Sequence, residues 1–290
     1  MSEEIDTVVR FHDVSRLVEL KRCVFSLIGQ SYRPLNIILT TQRFSENDVY
    51  EARQALAPLI DEEEGVTLSV VNWDQAEPQD ARSELLNLGL LAARGRYLAF
   101  LDYDDVLYPE AYELLVSRLK ESTAAIAFAA VRIMRLDVYE RYLYTTEEIV
   151  PVFRGVALID LLRNNFCPLH SYVIDRQQMA GGPILFDTTM TMQEDYDWLL
   201  RLCARYTSDF SLVKTRIGDY YYKTDGSNTV PTAGVITDKE QTKLDSVITA
   251  IEVQRRMTIV SETVQRTLGI TEPSETATIR DVIDRVKKGV

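Results

Sequence analysis

Short apolar runs alternate with segments of helical period from Ile5 to Lys120, and this alternation constrains the fold more than any other feature of the chain. IDTVVRF, LNIILTT, VTLSVVNW and RYLAFLD have the length and apolar content of buried strands. Between the first two, Leu17, Leu20, Val24, Leu27 and Ile28 recur at helical spacing. SENDVYEARQALAPLI opens with Ser45 and Asp48 in the pattern of a capping box. ELLNLGLLAA reads as a helix with Gly95 just past its end, and PEAYELLVSRLK as a helix with Pro109 in its first turn. Strand–helix repetition predicts a parallel, doubly wound sheet, whose ligands sit at the carboxyl ends of the strands.

From about Ala124 the pattern changes. AIAFAAVRIMRL reads as a strand, RYLYTTEEIVPVF as a hairpin or loop, GVALIDLLRNN as a short helix and HSYVID as a strand. MAGGPILFD is a turn, EDYDWLLRLCARY a helix, and TRIGDYYYKTDGSN an aromatic strand running into a turn. The mixture predicts a second lobe laid on the first sheet. Beyond Pro231, Leu244, Val247, Ile248 and Ile251, then Met257, Val260, Val264 and Leu268, recur at helical spacing, and IRDVIDRVKKG is a short amphipathic helix. The stripe reads as packing on the body or across a dimer, or as a surface for a partner protein. The expected organisation is a first half over residues 1–105, a second over 106–230 and a helical extension over 231–290.

Bulk composition narrows the function. Hydrophobic residues make up 46% of the chain and charged residues 26%, enough for a sizeable core. A net charge of −12 argues against binding to nucleic acid or to anionic lipid. A phosphorylated ligand remains compatible if a divalent cation bridges it to acidic side chains. Cys23, Cys167 and Cys203 are odd in number and widely spaced, which fits a reducing compartment and offers no zinc or disulfide framework. The opening MSEEIDTVV lacks the features of a signal peptide, and no apolar run approaches the roughly 18 residues of a membrane span. A cytoplasmic location is expected, with any membrane association made through a partner.

The carboxylates carry the chemistry. RYLAFLD ends in Asp102, Tyr103, Asp104 and Asp105. On an extended segment Asp102 and Asp104 point the same way, and two converging carboxylates make an oxygen site suited to Mg²⁺ or Mn²⁺. A polar turn capping the next helix, with Asp105 as the cap, explains the same residues without function. In MQEDYDW, Glu194, Asp195 and Asp197 open a helix, where acids interact favourably with the dipole. Alternatively, one of them is a general base that accepts the proton of an attacking hydroxyl. His170 reads as a strand residue satisfied by the backbone, and His12 follows the first strand at the ligand edge of the sheet. Tyr220, Tyr221 and Tyr222 read as core with one exposed edge.

The stretch DARSELLNLGLLAARGRYLAFLDYDDVLYPEAYELL, residues 80–115, resembles the central signature of inverting family 2 glycosyltransferases. An NxG helix with Asn87 and Gly89 leads through Ala93, Arg94 and Gly95 to the LDxDD strand end. VVRFHDVSRLVELKRCVFSLIGQSYRPLNIIL resembles the family's opening strand, helix and second strand, QEDYDWLLRL its ED helix, and DGSNT the loop that follows. The resemblance covers roughly residues 5–230. It implies a GT-A fold: a Rossmann-like, mostly parallel α/β central sheet flanked by helices, with an acceptor lobe and here a C-terminal helical tail. It implies metal-dependent, inverting transfer of a sugar from a nucleotide diphosphate sugar to a hydroxyl of a glycan or protein, as in surface glycan biosynthesis or protein glycosylation. Asp102 and Asp104 would hold Mn²⁺ or Mg²⁺, and Asp195 would be the base with Glu194 beside it. Arg10, Phe11, Thr41, Gln42, Asp80, Arg82, Asp102, Tyr103 and Asp104 would line the nucleotide sugar, and Asp105 and His170 would lie toward the acceptor.

One departure bears on the donor. Where the family carries an acid after the second strand, this chain has Thr40, Thr41, Gln42, Arg43, Phe44 and Ser45. Asp80 is the nearby candidate for the missing acceptor, which favours UDP- or dTDP-sugars over GDP-sugars; an amide reader at Gln42 is the alternative. A catalytically silent nucleotide-sugar or glycan-binding scaffold is a competing reading, weakened by retention of both acidic motifs. A metal-dependent nucleotidyltransferase would need a glycine-rich phosphate loop bearing Lys or Arg near the N-terminus, and none is present.

Overall fold

The computed structural model describes residues 3–149, 154–225 and 238–288. β1 (Ile5–Phe11), β2 (Leu35–Gln42), β3 (Val66–Trp73) and β4 (Tyr97–Asp102) form a parallel block in the order β3-β2-β1-β4. Helices α1 (Leu17–Ile28), α2 (Glu46–Ile60) and α3 (Arg82–Ala92) make the crossovers. The expected Ser45–Asp48 capping box is formed on α2. The sheet continues through five further strands. β5 (Val106–Leu107) leads into α4 (Ala111–Lys120), β6 (Ile126–Val138) folds back as a hairpin onto β7 (Leu143–Glu148), and β8 (Tyr172–Asp175) follows α5 (Leu158–Arg163). After α6 (Glu194–Arg205) comes β9 (Ser208–Lys223). The full order is β3-β2-β1-β4-β8-β6-β9-β5 with β7 on β6; β8 is antiparallel to both β4 and β6, whereas β9 is parallel to β6.

The apolar runs are unbroken because both faces of the central strands are covered. Side-chain parity then decides which layer each residue joins. In β1, Ile5, Val9 and Phe11 pack with α1, α2 and α4, while Val8 packs with α3 and α6 on the other face. Asp6 shares the Val8 face; although wholly buried, its carboxylate accepts from the backbone of Arg94 and Gly95 at 2.6 Å each and from Asn36 at 2.7 Å. Thus the turn after α3 is held by a buried acid in β1. Gly89 lies where a Cβ would overlap the side chain of Val8, so only glycine lets α3 rest this closely on β1. Asn87 both donates to and accepts from the backbone of Phe186, fastening the loop before α6 to α3.

The tail packs on the body. α7 (Asp238–Met257), α8 (Glu262–Thr267) and α9 (Ile279–Lys288) bury Val247, Ile251, Val260, Val264 and Ile283 in the same cluster as Trp198 and Leu202 of α6. Each such side chain contributes about 1.5–3 kcal/mol relative to exposure. Two members of the expected stripe, Ile248 and Met257, are exposed instead, because α7 touches the body along a narrower face than the sequence spacing implied. Arg255 bonds the carbonyl of Leu162 at 3.0 Å and the hydroxyl of Tyr196 at 2.8 Å, and Ser261 bonds the backbone of Ala204 and Arg205. Of the segments read from sequence, residues 150–153 of the hairpin, 226–229 of the DGSNT loop and the start of the tail at 231–237 lie outside the described residues.

Candidate active site

β1 and β4 end side by side, with Arg10 opposite Asp102 in register. Arg10 has the parity of Val8 and therefore faces α6. Its Nε donates to Asp102 Oδ1 at 2.5 Å, its Nη2 to Asp102 Oδ2 at 3.1 Å and its Nη1 to Glu194 Oε1 at 2.8 Å. One guanidinium thus joins the strand-end motif to the helix-start motif, although Asp102 lies 92 and Glu194 184 residues from Arg10 in sequence. Burial alone would raise the Asp102 pKa, yet the charge and hydrogen bonds of Arg10 hold it below the ordinary carboxylate value.

Asp104 does not extend the strand. β4 stops at Asp102, and the Asp105 N–H closes a turn onto the Asp102 carbonyl at 3.0 Å. The expectation that Asp102 and Asp104 project together from an extended segment therefore fails, and each is taken up by a different cation. Lys223 Nζ, at the end of β9, donates to Asp104 Oδ2 at 2.7 Å. Arg22 Nη2 donates to the Asp104 carbonyl at 2.5 Å while its guanidinium lies 4.0 Å from the centroid of the Tyr221 ring. Tyr103 is buried between these groups; its ring meets Phe11 edge-on at 5.3 Å and His12 at 5.6 Å.

Asp195 stands apart. Helix α6 begins after Gln193, whose backbone is left-handed at φ 56°, one of two non-glycine residues with positive φ among those described; the other is Arg43, in the turn after β2. Both mark loops at the edge of the site, where backbone strain of order 1–3 kcal/mol is held in place by surrounding contacts. Asp195 accepts from the N–H of Tyr196 at 2.7 Å, and no ion pair to it exists among the described residues. Burial and the neighbouring charge of Glu194 push its pKa up to about 7. Asp197 is a separate matter: it pairs with Arg201 one turn on, at 2.7 Å.

Asp105 and His170, expected toward the acceptor, are both turned inward. Asp105 is buried, accepts from the Tyr221 N–H at 2.8 Å, and lies 3.4 Å from His170 Nδ1. Burial, then the charges of Asp104 and Asp102, drive its pKa well up. His170 stacks on Tyr220 with ring centroids 6.4 Å apart, and burial lowers its pKa to about 4. Neither ring nitrogen meets a partner with good hydrogen-bond geometry among the described residues, although the Asp219 backbone acts on the ring, and His170 lies in the turn before β8 rather than in a strand. The second expected helix cap is also absent, since Asp105 serves β9 rather than α4.

At the far edge of the block, Thr41 donates to Asn72 at 2.8 Å. The amide of Gln42 donates to the Gln79 carbonyl at 2.9 Å and accepts from the Ala81 N–H at 3.3 Å, so it clamps the loop before α3. Asp80 bonds Arg82 Nε through both oxygens, at 2.9 and 3.0 Å, and remains the more accessible acid there. Arg82 holds its pKa low against burial.

Lys223, Arg22 and Asn72 escaped the sequence reading. Lys223 shares the parity of Tyr221 at the end of β9, a strand that pairs with β6 and β5. No group of three or more His, Cys, Asp or Glu that could hold a metal occurs among the described residues. The donor set does fit a cation held by one carboxylate and completed by ligand phosphates and water, the manner in which Mg²⁺ is usually bound. Asp104 Oδ1 is the available oxygen, whereas both oxygens of Asp102 are engaged by Arg10.

The profile of a family described as Glycosyl transferase family 2 matches residues 15–173, more than half of the chain. The succinoglycan biosynthesis protein ExoO of Rhizobium meliloti (strain 1021) is 25% identical over 148 residues, which are 49% of this chain and 42% of that protein. An uncharacterized glycosyltransferase, YibD of Escherichia coli (strain K12), is 29% identical over 109 residues, 38% of this chain and 29% of that one. The matched stretches thus span less than half the length of these relatives. Among solved structures, S. aureus TarS 1–349 in complex with UDP-GlcNAc superposes with a TM-score of 0.61 at 12% identity over 93% of this chain and 71% of that one. The mannosyltransferase PcManGT from Pyrobaculum calidifontis, in complex with GDP-Man and Mn²⁺, gives 0.51 at 13% identity, covering 98% and 68%. These likenesses establish the fold: a curled, mostly parallel sheet flanked by helices, as in GT-A-like glycosyltransferases.

Proposed function

Because the chain belongs to glycosyl transferase family 2, we propose that it moves a sugar from a nucleotide diphosphate sugar to a hydroxyl with inversion, Asp195 serving as the general base. The observation that carries this reading is the Arg10 bridge, which joins Asp102 at the donor strand ends to Glu194 beside Asp195. A carboxyl with a pKa of about 7 is half-ionised near neutrality and matched to taking a proton from an attacking hydroxyl. With Asp195 as the single base, displacement is direct and an α-linked donor gives a β-linked product.

The donor lies across the strand ends, over Arg10, Phe11, Tyr103 and Asp104, with its base toward Thr41, Asp80 and Arg82. An ionised Asp80 suits the N3–H of uracil or thymine, which supports UDP- or dTDP-sugars over GDP-sugars. Mn²⁺ or Mg²⁺ would be held by Asp104 and would neutralise charge on the diphosphate leaving group. The acceptor is a hydroxyl of a glycan or protein, and assembly of a surface glycan is the setting we favour.

Nucleotide sugars are screened by thermal shift, since a donor that binds only the folded state raises its stability, and turnover is followed as nucleoside diphosphate release. Binding by a pyrimidine diphosphate sugar, with turnover lost in Asp195→Asn, is the expected result. Full turnover in that variant overturns the assignment of the base, and retention of anomeric configuration by NMR overturns inversion. An undiminished pyrimidine preference in Asp80→Ala removes the base reading.

A further inference from the structure

Lys223 is an unexpected occupant of the strand-end site. Its side chain belongs to a residue only 3% exposed, yet its ammonium is placed at the carboxylate best suited to a cation, 2.7 Å from Asp104 Oδ2. It also lies 5.6 Å from the centroid of the Tyr103 ring, so it sits within the strand-end turn itself. Its position is fixed by the strand that carries it. The Tyr221 N–H is anchored on Asp105 at 2.8 Å, and the Thr224 N–H on the Leu136 carbonyl at 3.0 Å, on either side of Lys223. Arg22 adds a second positive group on the Asp104 carbonyl. In a chain of net charge −12, three basic side chains, Arg10, Arg22 and Lys223, converge on this one acidic turn.

We propose that Lys223 is a built-in cation that competes with divalent metal for Asp104 and, when a donor arrives, turns to its diphosphate. This rests on the donor reading given above for its second half only; the competition for Asp104 stands without it. The physical grounds are two. A divalent ion and an ammonium on one carboxylate repel each other at short range, and burial leaves little water to screen them. A lysine is a compact charge on a flexible stem, able to move from a carboxylate to a phosphate oxygen a few ångströms away. The free protein therefore binds metal weakly, and the lysine supplies part of the charge that the diphosphate needs.

Two measurements decide it, neither relying on turnover. Mn²⁺ binding to the full chain without nucleotide is followed by EPR for wild type, Lys223→Gln, Lys223→Arg and the double variant Lys223→Gln/Asp104→Asn. Lys223→Gln is expected to bind Mn²⁺ about tenfold more tightly than wild type, Lys223→Arg to stay near wild type, and the double variant to lose the gain. Equal Mn²⁺ affinity in wild type and Lys223→Gln, or a gain that survives Asp104→Asn, overturns the competition. Should Lys223→Gln unfold, Lys223→Met/Asp104→Asn against Asp104→Asn alone keeps a neutral pair and tests the second half. There, UDP binding by calorimetry in EDTA is expected to weaken about tenfold when Lys223 is replaced, the scale of one lost charge-assisted contact; unchanged binding overturns it. UDP that fails to bind wild type with or without Mn²⁺, while ADP, GDP and dTDP fail as well, counts against the donor reading rather than against the competition.

Discussion

The two acidic motifs of this site are built from the same residue types but held in opposite electrostatic states. At the end of β4, Asp102 is clasped by Arg10 and Asp104 by Lys223, so both carboxylates are compensated. At the start of α6, Glu194 shares Arg10 with Asp102, and Asp195 next to it makes no ion pair among the described residues. Burial, and then the neighbouring carboxylate of Glu194, make ionising Asp195 costlier. Of the four carboxylates, Arg10 thus holds two and Lys223 a third, while the fourth, Asp195, has no ion pair among the described residues. The proton-transfer role we propose falls on the acid of the four that no ion pair holds among the described residues.

The comparison breaks most sharply at Asp195. Asp195→Asn should lower turnover by about 10²–10⁴, the usual range for a removed acid or base, while leaving UDP affinity by calorimetry unchanged. Asp102→Asn, by contrast, should impair UDP binding as well as turnover. Removing the shared cation comes next. Arg10→Met leaves Asp102 and Glu194 without their counter-charge, and breaking a buried ion pair from one side costs about 3–5 kcal/mol. The partial exposure of this site places the loss at the low end, read as a shift in the denaturant midpoint.

A pH profile sharpens the comparison without breaking it. Asp195 acts as a base only when ionised, so kcat/KM should fall tenfold per unit below about pH 7 and level off above it. Glu194→Gln removes the like charge and should move that limb to lower pH. Stability moves the other way. The folded pKa of Asp195 is raised above its unfolded value, so the folded state binds the extra proton between the two. Its stability contribution is full below the unfolded pKa and is lost as pH rises through about 7. Asp195→Asn should therefore be more stable than wild type at pH 8, and no more stable at pH 4; the two thermal midpoints test this. The smallest effect lies outside both motifs. Ser45→Ala removes the cap of α2 and should cost about 1 kcal/mol in unfolding free energy with turnover intact.

The parallel block could be read from sequence because its strands are covered on both faces and so appear as unbroken apolar runs. β9 was harder to delimit: it begins at Ser208, seven residues before the aromatic stretch that signalled it, since its first half is only partly buried and carries mixed side chains. Asp102, Asp104 and the Glu194–Asp195 pair are recognisable as motifs, and the structure brings all four to one edge of the sheet. What the motifs conceal is their cations. Lys223 lies 119 residues from Asp104, and no local spacing connects them. Gln42 and Asp105 illustrate the converse. Each has a residue type suited to ligand contact, yet the backbone of a neighbouring loop or strand claims it first.

Gly89 has a mechanical consequence. Val8, on which Gly89 rests, is two residues before Arg10 on the same face of β1. A single methyl group at position 89 would push on Val8, and the guanidinium two residues on would leave its alignment with two carboxylates held at 2.5 and 2.8 Å. The fit behind the sheet therefore bears on the candidate site in front of it, through the missing side chain of a helix that supplies none of the Arg10 contacts.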